Sequence, residues 1–400
     1  MKILWVGTGF LHPTVRGGQI RTLEMLKQLH RRHEIHFAAL ADPRQPEGPA
    51  RSAEYCVRAY PVTFRNPQPR SPLFWCQLAR GLASPLPTAV FRWRSARMRG
   101  LLTRLLEQER FDHVVCDFLT PAVNLPRHHE CILFQHNVEM LIWRRLAENA
   151  PTPLRRAYFR MQAARMSRFE GRICRSVRHV VAVSETDAAL MHSLYGLERV
   201  SIVPTGVDVG FFTPPEPPPP LTTDLIFVGS MNYLPNIDAV EYFVREILPQ
   251  IRRRRPACTL TVAGWDPDPA IRVLAKTDPR IRVTGAVPDI RPYVWESAVA
   301  IVPLRCGSGT RLKIYESMAA RRAVVSTTIG TEGLTLHPPS DIRLADTPEA
   351  FADACLQLLE NPAERQAVAE AGWQLVSSRF SWAEAARRFE EVLEQYPAPH

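Results

Sequence analysis

Short apolar runs alternate along the chain with longer stretches whose apolar residues recur at helical spacing, the pattern of βαβ units built around parallel sheets. In the first half, residues 2–6, 34–40, 112–116, 131–135 and 179–183 predict strands, and 17–31 and 95–109 predict helices. Residues 42–90 read as proline-rich and irregular. Residues 140–175 read as a long basic helical stretch broken at Pro151 and Pro153, and Ser184 caps a helix that runs to His192. The sharpest interruption is 203–223, where Pro204, Pro214, Pro215 and the run Pro217 to Pro220 forbid regular helix or central strand. Beyond it the alternation restarts, with strands predicted over 224–228, 258–263, 281–284, 299–303 and 323–327. Helices are predicted over 237–255, 269–276, 290–296, 312–320, from 348, and over 382–395. The fold class expected is α/β, with two Rossmann-like domains facing each other across a cleft: residues 1–203, a proline-rich linker over 204–223, residues 224–380, and a C-terminal helix over 381–400 that crosses back to the first domain.

Composition agrees with a soluble globular enzyme, at 46% hydrophobic and 22% charged residues. The first apolar run meets Gly7 and Gly9 too soon for a signal peptide, and no later run approaches the ~20 apolar residues of a membrane span, so a cytoplasmic location is expected. Eight widely spaced cysteines, without C-x-x-C or zinc spacing, read as reduced, mostly buried thiols. Charge is divided unevenly: residues 1–200 carry 30 Lys/Arg against 16 Asp/Glu, and residues 201–400 carry 20 against 24. A basic half of this kind faces an anionic membrane surface, a phosphorylated acceptor or solvent; no nucleic-acid motif accompanies it, so nucleic acid is not expected as a partner. Arg92-Trp93-Arg94, Arg97, Arg99, Trp143-Arg144-Arg145, Arg155 and Arg156 interleave cations with indole rings, which suits the inner face of a membrane or a lipid diphosphate, and equally a solvated basic helix.

The segment with most chemistry is 302–316, where Gly307-Ser308-Gly309-Thr310 separates a predicted strand from a predicted helix. Backbone N–H groups at a helix start, the helix dipole and glycines that admit close approach all suit a diphosphate. Arg311 and Lys313 sit in the first turn, where the dipole alone disfavours cations; an anionic ligand removes that conflict. Glu316, one turn on, is placed to accept hydrogen bonds from ribose hydroxyls. Asp266-Pro267-Asp268 has the spacing of a metal-binding D-x-D, but its proline and Trp265 make it a turn after a strand.

This segment resembles the donor site of the retaining group 1 glycosyltransferases of GT-B fold. The motifs that carry the resemblance fall in the family's order: Gly17-Gly18 before a helix, Gln135-His136-Asn137 after a strand, residues 181–184, Val203-Pro204-Thr205-Gly206-Val207-Asp208, and Phe227-Val228-Gly229-Ser230. Residues 228–249, with Tyr233-Leu234-Pro235-Asn236, and the loop 307–311 are similar to a bacterial exopolysaccharide-associated subgroup. The resemblance implies transfer of a sugar from a UDP- or GDP-linked donor to a lipid-linked or saccharide acceptor, with retention and with neither metal nor cofactor. By the same resemblance His136 contacts the donor sugar near the reacting centre. Gly17, Gly18, Ser230, Gly307, Ser308, Gly309, Thr310, Arg311 and Lys313 belong to the sugar and diphosphate site, and Val287 and Glu316 hold the nucleoside. Glu139 is placed to orient His136 or to face solvent, and Arg21 lies on a solvated face or touches the acceptor.

Two departures from the family pattern matter. Of the family's paired glutamates, which have seven residues between them, Glu316 matches the second, and Ser308 stands at the first. Where the family carries an Arg after the glycine of the first C-domain strand and a Lys five residues on, this chain has Ser230 and Pro235. Arg311 and Lys313 are the cations that would restore the missing phosphate charge. A nucleotide-sugar epimerase of the same fold and a non-catalytic nucleotide- or lipid-binding member are the competing readings.

Overall fold

The computed structural model describes residues 1–14, 17–68, 71–306 and 311–397. These form two compact units, one built from Met1–Thr14, Gly18–Pro204 and the stretch from Ala383 on, the other from Thr205–Trp382.

The first unit holds a seven-stranded parallel sheet. Its strands are β1 (Lys2–Gly9), β2 (Glu34–Ala41), β3 (Arg58–Thr63), β4 (His113–Asp117), β5 (Cys131–Phe134), β6 (His179–Ala182) and β7 (Val200–Ile202), in the spatial order β3-β2-β1-β4-β5-β6-β7. The central strands are apolar almost throughout because helices cover both faces, so each strand buries both sets of side chains. On β1, Leu4 and Val6 enter one core. Trp5 points the other way, against Phe389 at 5.4 Å and Phe134 at 6.2 Å between ring centroids. Phe389 belongs to the helix Trp382–Gln395, whose Glu390 also pairs with Arg32 at 2.8 Å and His33 at 2.9 Å.

The second unit holds a six-stranded parallel sheet of β8 (Thr223–Val228), β9 (Leu260–Ala263), β10 (Ile281–Val283), β11 (Ser297–Val302), β12 (Ala323–Ser326) and β13 (Arg343–Leu344), in the order β10-β9-β8-β11-β12-β13. The helix Leu312–Ala319 follows β11 directly.

The structure departs from expectation in three places. The stretch 42–90 is not irregular: it contributes β3 and the helix Pro72–Ala83. Pro61 lies within β3, and it is tolerated there because β3 is the edge of the sheet, where a missing N–H costs no second ladder. The strands β7 and β13 are three and two residues long, too short for a periodicity to register. Within the proline-rich stretch, Val209–Phe212 forms one helical turn capped by the Asp208 carboxylate, and Trp295 Nε1 donates to Phe212 O at 2.7 Å.

Candidate functional site

In each sheet the strand order reverses beside the first strand, between β1 and β4 in one unit and between β8 and β11 in the other. Loops leaving the carboxyl ends of such a pair run in opposite directions, and the opening they leave is where an open α/β sheet receives a ligand. In the first unit those ends carry Asp117, Phe118 and, on the next strand, Gln135 and His136. In the second they carry Gly229 and Ser230 after β8 and the chain from Pro303 after β11.

The first-unit ends form a buried polar cluster. Thr22 Oγ1 donates to Asp117 Oδ2 at 2.6 Å, and His136 Nε2 lies 2.8 Å from Asp117 Oδ1. A carboxylate only accepts, so Nε2 carries the proton, and the neutral ring keeps its acceptor lone pair on Nδ1. The ring is neutral because burial pulls its pKa down to about 4, against the opposing pull of Asp117. Phe118 stacks on His136 at 3.7 Å between centroids, and its backbone is left-handed, with φ +70°. A side chain at position 18 is excluded by that same ring: a Cβ there would lie 2.4 Å from Phe118 Cζ. Gly18 thus makes room for the ring that backs His136. Gly17 opens the helix Gly17–Leu29.

Arg21 is neither solvated nor displayed on a helix face. It is buried, donates from Nη2 to Val203 O at 2.6 Å, and lies over the Phe134 ring at 4.9 Å. Burial holds its pKa down to about 9 in spite of Asp117 and Asp187.

A residue that sequence reasoning missed holds the His136 loop. Glu170, wholly buried on the helix Pro153–Ser176, accepts from Gln135 Nε2 at 2.8 Å and Glu139 N at 2.9 Å through one oxygen, and from Met140 N at 3.0 Å and Tyr195 Oη at 2.7 Å through the other. It satisfies the orphan amides that begin the helix Glu139–Glu148 and clamps the residue before His136. Glu139 itself is half-buried, and burial pushes its carboxyl up to about 7. Glu170→Ala leaves four donors without an acceptor. We expect it to cost about 2–4 kcal/mol in urea denaturation, and a loss below ~1 kcal/mol would refute the clamp.

In the second unit, Arg311 occupies the N-cap position of the helix Leu312–Ala319, with Lys313 and Glu316 in the two turns that follow. Lys313 Nζ donates to Asn236 Oδ1 at 2.9 Å, and Asn236 Nδ2 donates to Ser230 O at 2.9 Å. The ammonium also lies 4.1 Å from the centroid of Phe227 and beside Gly229, where a Cβ would come within 2.9 Å of it. Lys313 therefore delivers its charge to the tip of β8, next to Ser230. Burial, then Arg311, holds its pKa down to about 7. Burial pushes Glu316 up to about 7, with Lys313 opposing. The tip is shaped by two glycines: Gly264, at φ +148°, has no space for a Cβ, which would sit 1.9 Å from Gly229 O.

Of the remaining predicted site residues, Val287 is half-buried on the loop after β10, two strands from β8. Gly307, Ser308, Gly309 and Thr310 lie outside the described residues. Asp268 caps the helix Pro269–Thr277, accepting from Ala270 N at 2.9 Å, and Asp266 accepts from Asn232 Nδ2 at 3.0 Å in the turn before it. Arg305, in the loop after β11, pairs with Asp238 at 2.6 Å.

Residues 222–361 match the family described as glycosyl transferases group 1, and residues 15–211 match the family described as glycosyltransferase family 4. No curated protein matches the sequence. Among solved structures, the chain is similar to sucrose-phosphate synthase from Thermosynechococcus elongatus, at 15% identity and a TM-score of 0.72 over 98% of each chain. It is similar to HepE from Anabaena in complex with UDP-glucose, at 12% identity and a TM-score of 0.68, over 99% of this chain and 100% of that one. It is also similar to WaaG, a glycosyltransferase involved in lipopolysaccharide biosynthesis, at 13% identity and a TM-score of 0.63, over 98% and 99% of the two chains. At these identities the structural likeness establishes the fold, the paired parallel-sheet domains of GT-B glycosyltransferases.

Proposed function

We propose, from the premise that this chain belongs to the group 1 glycosyltransferases, that it transfers a hexosyl group from a UDP-linked sugar to a saccharide or lipid-linked acceptor in polysaccharide or envelope assembly. The observation that carries the reading is Lys313. Its ammonium stands at the tip of β8 beside Ser230, at the position from which the family's two phosphate-gripping cations are missing. The donor diphosphate binds there, against Lys313, Arg311 and the start of the helix Leu312–Ala319, and Glu316 accepts from the ribose hydroxyls. UDP is favoured over GDP because the similar protein HepE is described in complex with UDP-glucose.

In the reaction the bond from the anomeric carbon to the diphosphate oxygen breaks, and the acceptor hydroxyl oxygen bonds to the same carbon. The hydroxyl proton passes to the departing diphosphate, whose growing charge Lys313 and Arg311 stabilise. Attack from the face that the diphosphate leaves retains the configuration. His136, neutral and with its acceptor on Nδ1, is assigned to a hydroxyl of the transferred sugar. The arginine-rich first half is read as facing an anionic membrane or acceptor.

The test is product analysis. UDP-glucose and GDP-mannose are each incubated with the protein, with and without a saccharide acceptor, and the products are resolved by proton NMR. We expect UDP release, with an axial anomeric linkage from an axial donor. An inverted linkage would overturn retention, and an epimerised sugar from donor alone would favour an epimerase. Donor binding without turnover would leave a non-catalytic binder.

A further inference from the structure

The helix Pro72–Ala83 is apolar on its outward side as well as on its inward side. Its inward side carries half-buried Phe74 and Leu78 and is tied down by backbone contacts: Arg165 Nη1 and Nη2 donate to Gly81 O at 3.1 Å and Leu82 O at 2.7 Å, and Gly81 is buried where a Cβ would lie 3.2 Å from Phe91 Cδ1. Its outward side is apolar. Leu73 is 71% exposed, Trp75 56% and Leu82 40%, with Cys76, Ala79 and Ala83 exposed between them. At ~100° per residue, Trp75, Ala79 and Leu82 form one stripe, Cys76 and Ala83 flank it, and Leu73 lies beside Arg80, the helix's one charge, at the far edge of the exposed half. A helix this apolar on its open side requires a partner.

The charge around it says which. No Asp or Glu occurs between Glu54 and Glu107, a stretch that contains nine arginines. Arg80, Arg92, Arg94, Arg97 and Arg99 are exposed. Two copies docked through this face would set arginines against arginines, which disfavours self-association. An anionic bilayer supplies both things the face lacks: an apolar layer for Leu73, Trp75 and Leu82, and headgroup charge for the arginines. The tryptophans flagged from sequence are used differently. Trp93 stacks on Phe64 at 6.0 Å, and Trp143 packs against Phe159 at 6.1 Å.

We infer that the helix Pro72–Ala83 lies in the interface of an anionic phospholipid bilayer, anchoring the first unit through Leu73, Trp75 and Leu82 with the surrounding arginines on the headgroups. The inference rests on the proposed membrane-facing role of the arginine-rich half and deepens it.

The test is co-sedimentation of the full chain with vesicles of phosphatidylcholine alone and of phosphatidylcholine with phosphatidylglycerol in equal parts. Wild type is expected to pellet with the anionic vesicles only. Leu73→Glu/Trp75→Glu should lower that affinity about tenfold or more, with melting temperature and UDP-glucose binding unchanged. Should that double variant melt early, Trp75→Phe supplies the second readout, since brominated lipid should quench wild-type fluorescence and lose that quenching in the variant. Wild type that ignores anionic vesicles, a double variant that binds as wild type, or a wild-type dimer that the double variant turns into a monomer would each overturn the inference. UDP-glucose binding measured on the same preparation separates this failure from failure of the catalytic reading.

Discussion

Lys313→Ala is expected to weaken nucleotide-sugar binding about a hundredfold, ~2.7 kcal/mol, the loss typical of a charge-assisted hydrogen bond to a phosphate. The same substitution should change how binding depends on pH. In the empty protein, burial and Arg311 hold the Lys313 pKa down to about 7, so near pH 8.5 the group is mostly neutral. A bound diphosphate favours the charged form and raises that pKa. Binding at pH 8 therefore takes up close to one proton, and affinity rises as pH falls from about 8.5 towards 7. Calorimetry in buffers of different ionisation enthalpy reads both effects. Lys313→Ala should lose the proton uptake along with the affinity. If it binds UDP-glucose as wild type does, phosphate is not held at the tip of β8.

Gly264→Ala is expected to be the most damaging methyl addition among the described glycines of the second unit, costing more than ~4 kcal/mol in urea denaturation. Two independent penalties meet at this position. The backbone stands at φ +148°, which L residues rarely adopt, and the added Cβ would sit 1.9 Å from the Gly229 carbonyl oxygen. The obstacle is backbone of a neighbouring strand end, not the tip of a flexible side chain, so relief requires β8 and β9 to part. Because Gly229 adjoins Ser230 and the Lys313 ammonium, whatever protein remains folded should also bind donor poorly. A cost under ~1 kcal/mol would mean that the approach of these two glycines is not a native constraint.

The central strands were readable as strands because a parallel sheet buried on both faces leaves nearly unbroken apolar runs such as Ile3 to Val6 and Val299 to Val302. The helix Pro72–Ala83 was hidden by the prolines around it and by an apolar side that points outward, so its pattern does not mark the core. In the site, Arg311 and Lys313 stood out because cations in a first helical turn oppose the helix dipole, a conflict visible in one dimension. Their meeting place was not visible, since Asn236 lies 77 positions from Lys313. Glu170 was invisible for the same reason: its donors come from the 135–140 loop and from Tyr195, and only the fold gathers them. The burial of Arg21 was not legible because its partner, the Val203 carbonyl, is 182 positions away.

The nucleotide-sugar donor is expected at the β8 tip, against the helix that follows β11. Hydrogen–deuterium exchange with and without saturating UDP-glucose locates it directly. Donor should slow exchange in residues 229–236 and 311–319, and Lys313→Ala should abolish the slowing in both segments at the same donor concentration. Protection confined to the first unit, or absent from both segments while donor is demonstrably bound, would contradict it.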